Sequence, residues 1–208
     1  NIKENNSSIK ALAYQLYEKN GVLKREEVSE YLKNLEQNER KILRDLGVKF
    51  GRYHVFLYQL IKPEPVSLRT LLWKNFYQKF HNLKPPTFGL NFLDDKEIKN
   101  KNFMLLCGFE KFDNFFVRID ILERLFVLII NSSAKENSEV KLVPEMLNLL
   151  GCNKENFKKL LQKMNYKIFD KENETFFKYN PTKKFKKITT KKISNENPFK
   201  ILKNLNLS

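Results

Sequence analysis

The sequence has only two cysteines, Cys107 and Cys152, and two histidines, His54 and His81, in 208 residues. Two thiols exclude a disulfide scaffold and fit a reducing, cytoplasmic setting. The four residues lie far apart with no pair at ligand spacing, which excludes a structural zinc. No apolar run approaches the roughly 18 to 20 residues that span a bilayer. The opening stretch NIKENNSSIK also lacks the apolar segment of a secretory signal. A membrane partner is therefore not expected. Catalytic signatures are missing as well: there is no G-x-x-x-x-G-K-[ST], no G-x-G-x-x-G and no H-E-x-x-H. Asp94, Asp95 and Glu97 read as a solvated acidic loop, and neither cysteine has a nearby histidine to activate it. No catalytic residue, metal ligand or cofactor is assigned to this chain.

Acidic residues are scarce too, 24 against 39 Lys and Arg, which leaves a formal charge of +15. Such a surplus reads first as attraction to polyphosphate, so RNA or DNA is the expected partner. Lysine abundance alongside Asn, Ile and Phe is also what an AT-rich genome produces, so the charge counts most where it clusters. A hydrophobic content of 41% is enough for real cores in a chain of this length.

The first third has helical period. SSIKALAYQLYEKNG opens on a serine cap and stops at Gly21, KREEVSEYLKNL follows, and QNERKILRDLG ends at Gly47. VKFGRYHVFL is β-rich and is broken at Pro63 and Pro65, after which SLRTLLWKNFYQKFHN resumes a helix carrying Leu68, Leu71, Leu72, Phe76 and Phe80. Residues 83–102, with Pro-Pro, Gly and mixed charge, read as a linker.

Beyond it the pattern changes. FEKFDNFFVRI predicts a hairpin, and DILERLFVLIIN a mostly buried helix with an Asp120–Arg124 pair at i,i+4. In LVPEMLNLLGCNKENFKKLLQKMNYKIF, Pro144 suits a first helical turn, Gly151 a left-handed stop and Asn153 a cap. Phe157, Leu160, Leu161 and Met164 then form one apolar stripe. Two short helices with a Gly-containing turn are helix-turn-helix grammar, and YKIFDKENETFFKY after them has the shape of a wing. A faint echo links this last segment to CGFEKFDNFFV.

The expected fold class is mainly α with small β-hairpins (α+β). A helical accessory unit covers residues 1–82, the linker 83–102 and a winged-helix-like unit 103–180. A Lys-rich tail with a short C-terminal helical turn covers 181–208. The face opposite the Phe157 stripe carries Lys158, Lys159 and Lys163, with Lys154 on its flank, and is the first candidate nucleic-acid surface. The tail run KKFKKITTKK supplies the second, with Lys183, Lys184, Lys186, Lys187, Lys191 and Lys192. Six phosphate contacts would make log K fall against log salt with a slope of about −4 to −5. A solvated helix face and a solubilising tail are the competing readings. Arg52, in the stretch LRDLGVKFGRYHVFLYQLIKPEP, is a third candidate for phosphate or for an interface; Arg52-Tyr53-His54 has no partners that would make it catalytic.

Three segments together, LGVKFGRYHVFLYQLIKPEPVSLRTLLW, FVRIDILERLFVLI and VPEMLNLLGCNKENFKKLLQKMNYKIF, resemble the C-terminal region of bacterial superfamily 2 ATP-dependent helicases related to the mitochondrial degradosome RNA helicase. The closing NPFKILKNLNL is similar to that family's terminus, so the resemblance runs from about Ala11 to the end. It implies a C-terminal accessory module that holds nucleic acid for two motor domains lying before Asn1. ATP and Mg2+ would bind in those motor domains, which are the protein partner implied; a nuclease is a further candidate partner. Two other classes remain open: a free-standing winged-helix DNA-binding regulator, and a protein-interaction module recruiting a nuclease or the ribosome. Only Gln162 and Asn156 on the exposed helix face have side chains suited to base edges, which counts against the regulator.

Overall fold

The computed structural model describes residues 7–78, 82–94, 100–133, 138–171 and 173–180. The tail lysines from Lys183 to Lys192, the closing helical turn, Phe80 and His81 lie outside the described residues.

The first helix, α1 (Ser7–Glu18), leads into strand β1 (Val22–Lys24), then α2 (Ser29–Asn34) and α3 (Gln37–Asp45), then the hairpin β2 (Val48–Phe50) and β3 (His54–Leu57). α3 starts at a capping box in which Glu36 accepts from the backbone of Glu39 and the Glu39 side chain accepts from the Glu36 N–H at 2.8 Å. A 3-10 turn over Tyr58–Ile61 delivers the chain to α4 (Pro63–Phe76). Here the prolines act differently from expectation. Pro63 occupies the first turn of α4, where its missing N–H costs nothing and its fixed φ suits the helix.

The segment expected as a linker carries β4 (Phe92–Asp94) and the Asn100 cap of α5 (Lys101–Leu106), so it is woven into a sheet rather than strung between two units. β5 (Phe109–Phe112) and β6 (Phe115–Arg118) form the expected hairpin, and α6 (Ile119–Ser133) the expected buried helix. The last part runs β7 (Glu139–Lys141), α7 (Pro144–Leu150), α8 (Lys154–Lys163), β8 (Tyr166–Lys171) and β9 (Glu174–Tyr179). Between α7 and α8, Gly151 takes the left-handed conformation at φ 69° and Asn153 accepts from the Asn156 N–H at 2.8 Å, as the sequence predicts.

Among the described residues the protein is thus α+β, with eight α-helices and three small antiparallel sheets. The sheets share one connectivity. Their strand orders are β1-β3-β2, β4-β6-β5 and β7-β9-β8, so each lone first strand pairs with the last strand of a following hairpin. Each is preceded by a helix (α1, α4, α6) and has helix between its first and second strands. The described residues form a threefold repetition of one unit, and the echo in the sequence marks the hairpins of the second and third copies.

Ile9, Leu12 and Leu16 of α1 bury against Leu43 of α3 and Val55 of β3 in the first core. Val66 of α4 meets Phe103 of α5 and Phe116 of β6 in the second. The third and largest core takes Leu122, Leu125, Phe126 and Ile129 from α6. Phe157, Leu160 and Leu161 of α8 and Phe177 of β9 join it, together with Phe112 and Phe115 from the hairpin of the second unit. Ile119, at the head of α6, packs with Val22 and Phe56 of the first unit. These shared side chains weld the units together. Burying one Phe or Leu side chain contributes about 1.5–3 kcal/mol, so the shared residues are a substantial interface.

α4 leaves most of its apolar side chains unburied. Val66 and Thr70 are buried, whereas Leu68, Leu71, Leu72 and Phe76 are exposed, Phe76 to 80%.

Candidate nucleic-acid interface and its buried scaffold

The hairpin turn Gly51-Arg52-Tyr53-His54 is closed by the Gly51 N–H donating to the His54 carbonyl at 2.8 Å. That geometry turns three successive N–H groups the same way, and the Glu123 carboxylate of α6 receives all of them. Oε2 accepts from Arg52 N, and Oε1 accepts from Tyr53 N at 2.9 Å and His54 N at 2.8 Å. Successive amides in a turn form an anion-binding concavity, here filled by the protein's own side chain. Gly51 makes the approach possible, since any Cβ there would collide with the carboxyl group of Glu123.

His54 extends the network. Its Nδ1 lies 3.2 Å from Glu123 Oε1 and its Nε2 3.4 Å from Glu110 Oε2 on β5, while Lys24 Nζ of β1 reaches Glu110 Oε1 at 2.9 Å. His54, Glu110 and Glu123 are all buried. One chain of charged groups therefore ties the first unit (Lys24, His54) to the second (Glu110) and to the helix that opens the third (Glu123). Arg25 adds to it by donating its backbone N–H to Tyr53 O and its Nη1 to Gly51 O, both at 2.7 Å. The Tyr53 ring packs 4.4 Å from that of Phe126, and burial pushes its hydroxyl up to about 12. The Arg52-Tyr53-His54 stretch is a structural clamp.

The clamp sets a pH dependence. Burial by itself would lower the His54 pKa, but its hydrogen bonds to Glu110 and Glu123 and their charges raise it above the ordinary 6.5. Burial by itself would raise Glu110, but His54 and Lys24 hold it below 4.5. The raised histidine contributes stability that is complete below pH 6.5 and lost as pH climbs through the higher folded value. The depressed carboxylate contributes stability complete above pH 4.5 and lost as pH falls through the lower folded value. Urea unfolding should therefore show a stability plateau between these limits and a decline on the alkaline side. His54→Gln should abolish that decline; an unchanged slope in the variant would assign it to another group.

The predicted lysines of α8 are on its outer face, but two are engaged. Lys158 lies 3.5 Å from Asp170 of β8, and Lys163 lies 2.9 Å from Asp113 in the β5–β6 turn. Lys154 and Lys159 are exposed and neither lies within ion-pair distance of a carboxylate among the described residues, although the charge of Lys154 helps to lower the pKa of Asp170. The exposed pairs are worth at most about 1 kcal/mol, so an arriving phosphate can exchange for either carboxylate. Helix α8 holds this face outward because its opposite side, Phe157, Leu160 and Leu161, is wholly buried.

Arg52 sits elsewhere, with its guanidinium 5.3 Å from the ring centroid of Tyr179. It lines a groove of about 860 Å³ between the first sheet and α6. Arg25, Lys49, Arg118 and Arg124 share that groove. The expected Asp120–Arg124 pair is replaced: Asp120 is gripped by Arg118, at 2.7 Å from Nε and 3.1 Å from Nη2, because the last residue of β6 faces the first turn of α6. Arg124 is left exposed toward the groove. Sequence reasoning missed the groove, since its cations come from five places in the chain. The buried clamp beside it carried a signal, acids set among apolar residues: Glu123 in DILERLFVLIIN and Glu110 in GFEKF.

Burial pushes the Cys107 thiol up to about 12 and that of Cys152 up to about 11, so both are protonated at neutral pH. Among the described residues no cluster of three or more His, Cys, Asp or Glu is placed to hold a metal, and no helix is long and apolar enough to cross a membrane. Comparison with protein-family models, with curated proteins and with solved structures returns no match.

Proposed function

We propose that this chain is an accessory module that holds RNA or DNA without sequence preference for the motor domains of an ATP-dependent helicase. The observation that carries the reading is the threefold unit itself, on a chain of net charge +15. Helix, strand, helical segment, hairpin, with the lone strand paired to the hairpin's second strand, is the order of a winged helix, and three in series on a basic chain suit a long polyanion. In the third unit α8 is the candidate recognition helix and the β8–β9 hairpin the wing. Lys154 and Lys159 would meet phosphate directly, Lys158 and Lys163 after leaving their carboxylates, with the six tail lysines adding contacts. ATP and Mg2+ belong to the motor domains, and nothing in this chain is assigned to bind them.

The test is an anisotropy titration of random-sequence duplex across a salt series. Wild type should bind at micromolar concentration in 50 mM salt. Lys154→Ala/Lys159→Ala should weaken every sequence alike and reduce the salt slope by about 2, one per lost phosphate contact. Absence of binding to both duplex and single strand at low salt sinks the proposal, and weakening confined to one sequence would point to a regulator instead. A second reading has one observation in its favour: the exposed Leu68, Leu71, Leu72 and Phe76 face of α4 suits a protein interface. A Leu72→Glu variant that loses a nuclease-resistant pull-down partner while keeping nucleic-acid affinity would support it.

A further inference from the structure

We propose that the groove between the first sheet and α6 is a binding site for single-stranded nucleic acid, with phosphates on Arg25, Lys49, Arg52 and Arg124 and bases against Tyr58 and the outer face of α6. The proposal rests on the nucleic-acid-binding reading above and narrows it to one place and one strand form. Its basis is uncompensated charge. Two carboxylates line the groove, and both are already occupied: Asp120 by Arg118, and Glu123 by three backbone N–H groups and His54. Arg25 is held by a neutral carbonyl, Arg52 stands over a tyrosine ring, and Lys49 and Arg124 have no partner among the described residues. Four cations therefore face one concavity with no carboxylate left to neutralise them. Walls of low dielectric focus such a field and raise the local concentration of anions.

The surface between the cations selects the kind of anion. Tyr58 is 39% exposed, and Val127, Leu128 and Ile130 of α6 are exposed along the groove. A duplex keeps its bases stacked inside and has nothing to lay on these side chains. A single strand presents phosphates and base faces together, and base stacking on an aromatic ring contributes about 1–3 kcal/mol. The alternation of cation and ring also continues past the groove. Arg44 lies 5.7 Å from the centroid of Phe50, and Lys62 lies 5.6 Å from that of Tyr58. A polymer lying on these rings would meet further charge beyond the groove lining, which a small anion would not use.

The experiment uses the full chain and a labelled oligouridine of about 12 nucleotides, the site size of a single-strand groove, beside a random duplex. Lys49→Glu/Arg124→Glu changes two exposed, unpaired side chains, so an unchanged melting temperature is the control for folding. The variant should bind the strand at least about tenfold more weakly, with a salt slope shallower by about 1.4. Duplex affinity should stay within about twofold. Ultraviolet crosslinking of the wild type should map to the peptide containing Tyr58. A DNA oligothymidine arm reports whether the sugar matters. If wild type binds the strand but the variant binds it equally, or crosslinks fall only on α8 or residues 181–208, the groove proposal is overturned while the broader reading stands. If polyglutamate displaces the strand as well as polyuridylate does, the groove is a site for an acidic protein segment and the proposal also falls. If wild type binds neither strand nor duplex in 50 mM salt, the broader reading fails first.

Discussion

Glu123→Ala is expected to destabilise the chain by about 3–5 kcal/mol, the usual cost of removing one partner from a buried charged network. The carboxylate accepts from three backbone N–H groups of the β2–β3 turn and from His54, and it is 8% exposed. Alanine leaves those donors without their acceptor. It also leaves His54 with only Glu110, which removes part of what holds the imidazole charged. Glu123→Gln should recover only part of the loss, since an amide offers one acceptor oxygen and turns a donor toward donors. Urea unfolding at pH 6 measures both. A loss below about 1 kcal/mol for the alanine variant would mean that the turn amides are satisfied by water and that the clamp is not a major tie.

The contrast between what was readable and what was not follows from range. Elements set by local chemistry appear in the sequence nearly as they fold: the Gly151 stop, the Asn153 cap, the Phe157 stripe and both later hairpins. Arrangements set by distant pairs do not. Glu123 lies about 70 positions from the amides it caps, and nothing in GRYH announces an acid waiting on another helix. The same limit produced the Asp120–Arg124 expectation. Helical spacing favours it, but the strand residue Arg118 reaches Asp120 first. It also turned residues 83–102 into a linker, because three-residue β4 takes its stability from pairing with β6 rather than from its own composition. The candidate surface was half legible: α8 presents its lysines as predicted, while the groove assembles cations that no spacing rule connects.

These two scales meet in one function of the clamp. A tandem of small units buries little surface per unit and is rigid only where neighbours share side chains. Here the sharing is both apolar, through Ile119 with Val22 and Phe56, and ionic, through the Lys24–Glu110–His54–Glu123 chain. One residue of each tie, Phe56 and Glu123, lines the groove, so its width depends on them. On the proposed reading, a loosened clamp should therefore weaken strand binding in the groove more than phosphate contact on α8.

Gly51→Ala carries that argument furthest, because it attacks the clamp without touching a charged group. The added methyl would overlap the carboxyl carbon and Oε2 of Glu123 and lie 2.7 Å from its Cγ. Buried and fixed by four hydrogen bonds, Glu123 cannot swing aside without breaking them. The single substitution should thus cost about as much as Glu123→Ala, on the order of 3–5 kcal/mol, although glycine to alanine usually changes stability by about 1 kcal/mol or less. The decisive measurement is the double variant. With Glu123 already truncated the space is open, so Gly51→Ala/Glu123→Ala should be no less stable than Glu123→Ala alone, and the coupling energy should equal almost the whole cost of the glycine substitution. Additive losses would show that Gly51 serves the turn for its own backbone reasons, and that its meeting with Glu123 is incidental.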